Sequence, residues 1–317
     1  MPENTINIAL AADNNYAKYM GLAILSVLKN ADKRDKLAFY ILENQISQEN
    51  KQQIESLGKF KPFSIHWIDV NPDNFKQCTV TQKGLSITTY ARFLIPDKIP
   101  CAKVLYLDCD ILVRSSLAPL FNIDMGDNIV GGVIDINIDS KYYKKHLGYR
   151  VSHYLNAGVL LINNDLWRKY NIREWLFDYA VENSARLKYN DQDAINYVCA
   201  GRKYILPYEW NVMDTFYYPD LIERCSSQED IIHAALYPKI RHYKPFKKNY
   251  FGPHKEEYRL LMQESPWKDI IPKDYDGVKL YLAFFWEYIK VYNFFFLKKK
   301  VRQRIKNMGF LPPISNR

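Results

Sequence analysis

The chain has 317 residues, enough for one large α/β domain with a C-terminal addition. Hydrophobic residues make up 48% and charged residues 25%, the balance of a globular protein rather than a disordered or fibrous one. The formal net charge of +9 favours anionic partners: nucleotides, nucleic acid or an acidic membrane surface.

Residues 6–12 (INIALAA) read as a first strand, followed by a turn and cap at Asp13, Asn14 and Asn15. Met20, Ala23, Ile24, Val27 and Leu28 then keep helical spacing. Residues 37–42 give a second strand, Ser47 is an N-cap for a helix to about Leu57, and residues 63–70 give a third strand. This β-α-β-α-β order predicts a parallel arrangement covered by helices on both faces, with ligands outside the carboxyl ends of the strands. No G-x-G-x-x-G or Walker pattern occurs, which disfavours a dinucleotide dehydrogenase or a P-loop enzyme. The opening residues lack the basic and apolar regions of a secretory signal. Five scattered cysteines without Cys-x-x-Cys read as reduced thiols of a cytosolic protein.

Residues 84–92 (GLSITTYAR) precede a helix through Phe93 and Leu94, with Arg92 on its flank. On physical grounds alone Arg92 reads as a surface arginine, although it would reach a phosphate or sugar. Residues 103–113 (KVLYLDCDILV) are the most informative stretch. A buried apolar strand runs into Asp108 and Asp110, and residues two apart on an extended chain share a face. Two buried carboxylates repel unless a cation or proton lies between them, and hard oxygen ligands suit Mg²⁺ or Mn²⁺. An Asp-x-Asp pair alone is weak evidence; the apolar residues on both sides favour a metal or phosphate role over a solvated turn. Cys109 reads as a small buried filler.

Residues 129–134 form a further strand ending at Asp135, and residues 156–162 another buried run. Residues 166–181 read as one amphipathic helix with Trp167, Trp175 and Phe177. The YNDQD stretch at 189–193 opens a helix, where Asp191 and Asp193 are by default caps. His242, in RHYKPF at 241–246, is by default a hydrogen-bonded structural residue.

The tail differs. Residues 280–297 are almost wholly apolar and aromatic, broken by Glu287, Lys290 and Asn293 at a spacing that lines one helix face. Lys298, Lys299, Lys300, Arg302, Arg304 and Lys306 follow. The run is marginal for a transmembrane span and fits an amphipathic helix in the interface of an anionic membrane. A helix packed on the main domain and a nucleic-acid arm are the alternatives. The division drawn is a catalytic domain over 1–276 and a membrane-associating segment over 277–317.

Several separated stretches together resemble glycosyltransferase family 8, retaining enzymes with a GT-A fold, and in particular the bacterial lipooligosaccharide and lipopolysaccharide α-galactosyltransferases and α-glucosyltransferases. They are IALAADNNYAKYMGLAILSVL, LSITTYAR, KVLYLDCDILV, GGVID, YLNAGVLLINNDLWR and YNDQDAIN, in the family's order across roughly residues 6–250. The resemblance implies a Rossmann-like mixed sheet with helices on both faces. It implies Asp108, Asp110 and His242 as ligands to Mn²⁺, with Mg²⁺ as a substitute. Ala11, Asp13, Asn15 and Tyr16 match residues that hold the uridine of a UDP-sugar, and Arg92 matches an arginine at the donor sugar. Asn156, Ala157, Asp191 and Gln192 match residues lining the transferred sugar, with Asp191 and Gln192 on the face opposite UDP. Asp135 falls at an acceptor-side carboxylate. The family's Gly-containing loop after the histidine is shortened here, so the lysine on the diphosphate is Lys244 or Lys247.

The resulting expectation is a Mn²⁺-dependent retaining α-glycosyltransferase moving galactose or glucose from a UDP-sugar to a glycan or glycolipid acceptor, such as a lipopolysaccharide core. It would sit at the inner face of the cytoplasmic membrane and use no nucleic acid. The alternatives are a transferase of the same fold acting on a protein or soluble glycan, and a basic nucleic-acid-binding protein.

Overall fold

A computed structural model describes residues 5–81, 86–138, 140–148, 153–243 and 255–268. Lys244, Lys247 and the whole of the aromatic basic tail lie outside the described residues, as does the expected boundary at 276/277.

Ten strands are described: β1 (Thr5–Asp13), β2 (Lys36–Asn44), β3 (Ser64–Asp69), β4 (Lys103–Leu107), β5 (Ile111–Val113), β6 (Val130–Ile134), β7 (Leu155–Asn163), β8 (Lys203–Ile205), β9 (Val212–Met213) and β10 (Ile240–His242). Seven form one sheet in the order β3-β2-β1-β4-β7-β6-β8. β3, β2, β1 and β4 run parallel, while β7 is antiparallel to both β4 and β6. Because β7 runs backwards, its first residues lie at the same edge as the last residues of β1, β4 and β6. A site at that edge therefore collects side chains from strand ends and from one strand start.

Alternation along the strands builds a core on each face. Ile8 and Leu10 of β1, Phe39 and Ile41 of β2 and Leu105 and Leu107 of β4 pack with the helix Ala17–Asn30. Ala9, Tyr40, Leu42, Val104 and Tyr106 point the other way, toward Phe93, Leu176 and Ile195. Burying each large aliphatic side chain contributes about 1.5–3 kcal/mol before the entropy of ordering it.

The smaller sheet, in the order β5-β10-β9, was not foreseen from the sequence. β10 lies antiparallel to β5 with His242 opposite Ile111, and the Tyr243 N–H donates to the Asp110 carbonyl at 2.8 Å. That pairing brings a distant histidine beside the acidic pair. Chain beyond β10 also packs on the domain. The Trp267 ring lies on Gly21, where an added Cβ would be 1.9 Å from Cη2, so only glycine fits there.

Three local expectations change. Residues 166–181 do not form one helix: Asn164–Lys169 and Ile172–Glu182 are separated at Asn171, whose φ of 50° ends the first helix. Trp167 is buried but Trp175 is exposed. Residues 87–94 form a 3-10 helix, capped by the Ser86 hydroxyl accepting from the Thr88 N–H, before the short α-helix Ile95–Lys98. The extended chain stops at Leu107, and Cys109 and Asp110 form a turn before β5. Pleat alternation therefore is not what aligns the two aspartates; the turn between two sheets does it.

Candidate active site

At the carboxyl end of β1, the Asp13 carboxylate accepts from the backbone N–H groups of Asn15 (3.0 Å) and Tyr16 (3.1 Å). This fixes the turn into the first helix and sets Tyr16 on the wall of a cleft shared with Ala11, Asp13, Arg92, Asp108 and Asp110. Burial raises the Tyr16 hydroxyl to about 12, helped by nearby Asp110, so it stays a neutral ring and donor. The Asn15 side chain is exposed, and its backbone rather than its amide is committed here.

Arg92 is buried, not on the surface. The surface reading fails because the 3-10 helix turns this side chain under the cleft, where each guanidinium nitrogen finds an acceptor. Nη2 bonds Asp108 Oδ1 at 3.0 Å and Nη1 bonds the Ala157 carbonyl at 2.6 Å. Nε lies 3.0 Å from Asp191 and 3.1 Å from the Thr89 carbonyl, and the group stacks 4.3 Å above the Tyr106 ring. Burial lowers the Arg92 pKa, but Asp191, Tyr106 and Asp108 outweigh it and the net direction is up. The Asp191 carboxyl is pushed up by burial, against Arg92 and the Thr89 hydroxyl, which donates to it at 2.6 Å.

Asp108 continues the β4–β7 ladder, its N–H donating to the Gly158 carbonyl at 2.8 Å. Its Oδ1 accepts from Arg92 and from the Tyr106 hydroxyl (3.0 Å), which leaves Oδ2 toward His242. His242 Nε2 lies 3.3 Å from Asp110 Oδ1 and 4.0 Å from Asp108 Oδ2. Ligand atoms of Asp108, Asp110 and His242 fall within 4.8 Å of one another. Burial lowers the His242 pKa, but Asp110, Asp108 and Asp135 raise it to about 9. Two carboxylates and an imidazole around one point form a donor set for a hard or borderline divalent cation, to which the ring would bind as a neutral ligand. The fit is tight on one side: a Cβ on Gly158 would be 2.3 Å from His242 Cε1 and 3.0 Å from Asp108 Oδ2. Cys109 packs under the pair, its thiol donating to the Ala11 carbonyl at 3.3 Å, as a filler would.

On the β6–β7 side, Asp135 Oδ2 accepts from Asn156 (3.1 Å) and Gln192 (3.4 Å), and its Oδ1 from the Asn137 N–H (3.1 Å). Burial raises the Asp135 carboxyl, and these donors oppose it. Gln192 Oε1 accepts from the Ala157 N–H at 3.0 Å. Asn156 Oδ1 accepts from the Gly158 N–H at 2.9 Å and from Asn211 at 2.8 Å, and Asn211 Oδ1 meets His242 Nδ1 at 3.0 Å. Ala157 is buried at the start of β7. The structure thus gathers Asp13, Tyr16, Arg92, Asp108, Asp110, Asp135, Asn156, Ala157, Asp191, Gln192 and His242 at one edge of the sheet.

Sequence reasoning passed over Asn211, Gly158, Thr89 and Tyr106. Asn211 is fully buried between Trp210 and Val212, and a buried amide needs partners. Gly158 is a glycine inside a strand, which marks a close approach.

The chain matches the profile of Glycosyl transferase family 8 over residues 7–249. A Haemophilus influenzae protein named only as a glycosyltransferase is 30% identical over 307 residues, covering 96% of this chain and 88% of that protein. The lipopolysaccharide 1,3-galactosyltransferase of Salmonella typhimurium is 28% identical over 220 residues, covering 67% of this chain and 65% of that enzyme. Among solved structures, the galactosyltransferase LgtC in complex with donor and acceptor sugar analogues superposes with a TM-score of 0.75 at 31% identity. That match covers 86% of this chain and 99% of LgtC. With the mixed sheet of the GT-A fold and an acidic cluster at its edge, the chain belongs to glycosyl transferase family 8 and is a glycosyltransferase.

Proposed function

We propose that the enzyme moves galactose or glucose from a UDP-sugar to a bacterial surface glycan, such as a lipopolysaccharide core, with retention of anomeric configuration and dependence on Mn²⁺. One observation carries this reading: Asp108, Asp110 and His242 converge at the cleft that Asp13 and Tyr16 also line. The imidazole among the oxygen donors favours Mn²⁺ over Mg²⁺, which prefers oxygen alone. Asp108, Asp110 and His242 would hold the cation, which would supply charge neutralisation to the diphosphate leaving group.

The protein's own groups divide the remaining work. Tyr16 offers a ring to the base, and the Asp13 turn fixes its place. Arg92 holds Asp108 and Asp191 in register and acts as a positioning residue. Gln192 and Asn156 line the transferred sugar, and Asp135, which accepts from both, lies on the acceptor side. Asp191 is engaged by Thr89 and Arg92, which speaks against it as the attacking group. That favours acceptor attack on the face the diphosphate leaves. The C1–O bond to the diphosphate breaks, the acceptor oxygen bonds C1, and its proton passes to the released phosphate oxygen. A lysine after Tyr243, Lys244 or Lys247, supplies further positive charge to the diphosphate.

The test is UDP release from a panel of UDP-sugars without acceptor, with Mn²⁺ and then with chelator. Slow hydrolysis of one donor, lost with chelator and in Asp110→Ala, supports the reading and names the sugar. No release and no UDP binding with any metal would sink it. The basic aromatic tail supports a seat on the inner face of the cytoplasmic membrane. Unchanged binding to anionic liposomes after deletion of residues 279–317 would remove that part.

A further inference from the structure

We infer that Asn211 is a positioning residue that fixes His242 as an Nε2 ligand, by holding the ring proton on Nδ1. The inference rests on the metal-site reading above and goes beyond it.

The argument is one of hydrogen-bond polarity. Asn211 sits between the 3-10 helix Tyr208–Trp210 and β9, with no exposed surface. Its side chain has two partners, His242 Nδ1 at 3.0 Å and Asn156 Oδ1 at 2.8 Å. An amide donates through nitrogen and accepts through oxygen, so its orientation decides what His242 does. That orientation is set two residues away. The Gly158 backbone N–H can only donate, and it bonds Asn156 Oδ1 at 2.9 Å. Asn156 therefore shows its oxygen to Asn211 and its nitrogen to Asp135, 3.1 Å away. Facing that oxygen, Asn211 must present Nδ2, which leaves its Oδ1 for His242. An oxygen there accepts from Nδ1–H and cannot donate to a bare Nδ1. The proton the neutral ring keeps is on Nδ1, and the Nε2 lone pair faces Asp108 and Asp110.

Gly158 therefore acts twice. Its missing Cβ makes room for the His242 ring, and its N–H sets the polarity of the chain of amides that orients the ring's proton. The same chain ends on Asp135, so the histidine and the sugar-side carboxylate are held by one network.

The test compares Asn211→Leu, which fills similar volume without an acceptor, with Asn211→Asp, which keeps the acceptor and loses the link to Asn156. Mn²⁺ binding is measured calorimetrically on the full chain. Asn211→Leu is expected to weaken Mn²⁺ by about 10–100-fold, the usual cost of losing a partner behind a ligand, while Asn211→Asp does not. Correlation of His242 ring nitrogens with their protons in ¹⁵N-labelled, Mg²⁺-saturated protein should show hydrogen on Nδ1 and none on Nε2. Asn211→Leu with unaltered Mn²⁺ affinity, or a wild-type ring protonated on Nε2, would overturn the inference. If Asn211→Leu fails to fold by circular dichroism, the wild-type spectrum decides alone. If the wild type binds no cation, the metal-site reading fails instead, and the spectrum of metal-free protein made alkaline enough to neutralise the ring still decides the tautomer.

Discussion

Asp108-Cys109-Asp110 and Asp191-Gln192-Asp193 are the same pattern at two places in the chain, and the fold uses them oppositely. The first spans the break between β4 and β5, where a turn aims both carboxylates at a point shared with His242. The second opens the helix Asn190–Val198. Residues two apart on a helix point about 200° from each other, so the second pair diverges. Asp191 goes to Arg92 and Thr89. Asp193 is fully buried and accepts from the Tyr142 and Tyr154 hydroxyls and from the N–H groups of Lys188 and Tyr189. The first pair keeps Asp108 Oδ2 and Asp110 Oδ1 turned toward one point beside His242; the second has its carboxylates drawn apart to separate donors. An acidic pair points to a cation where the backbone makes its carboxylates converge on one point.

The contrast is open to attack by mutation. The largest effect should come from Asp110→Ala, which removes a carboxylate from the convergent pair. Metal-dependent donor hydrolysis should fall on the order of a thousandfold, several kcal/mol of lost charge stabilisation. Asp191→Asn should do something different in kind. It takes one of two carboxylate partners from buried Arg92, which keeps Asp108, so chemical denaturation should show a loss of about 3 kcal/mol. Gly158→Ala should fold but push His242 and Asp108 apart, weakening Mn²⁺ at least about tenfold in a calorimetric titration. A smaller effect is pH dependence. His242 titrates at about 9 in the folded protein without metal, above its ordinary 6.5, so its contribution is fully present below 6.5. Metal-free protein should therefore lose stability as pH rises through 9 in thermal melts. Excess Mn²⁺ should reverse that trend, since binding displaces the proton.

Much of this was legible in the chain, for identifiable reasons. β1, the first helix, β2 and β3 follow from clean apolar periods, and the Ser47 cap does accept from the Asn50 N–H as expected. The acidic pair stood out because charge inside an apolar run needs a partner. Arg92, Asp191 and His242 did not stand out on local grounds, because what makes them unusual is long-range. Arg92 is buried among partners mostly distant in sequence, Tyr106, Asp108, Ala157 and Asp191. His242 reaches the site through a two-sheet pairing that no local period encodes. The resemblance to a family supplied those residues where the physics of short windows left them as ordinary ones. Asn211 escaped both routes, since its role is to hold another residue's proton.

The most direct measurement is a Mn²⁺ titration of three full-length proteins: wild type, Asp110→Ala and Asp193→Asn. The account predicts one site in the wild type, none of comparable affinity in Asp110→Ala, and wild-type affinity in Asp193→Asn even if that protein melts earlier. Retained binding in Asp110→Ala, or loss confined to Asp193→Asn, would contradict the assignment of the cation to the convergent pair.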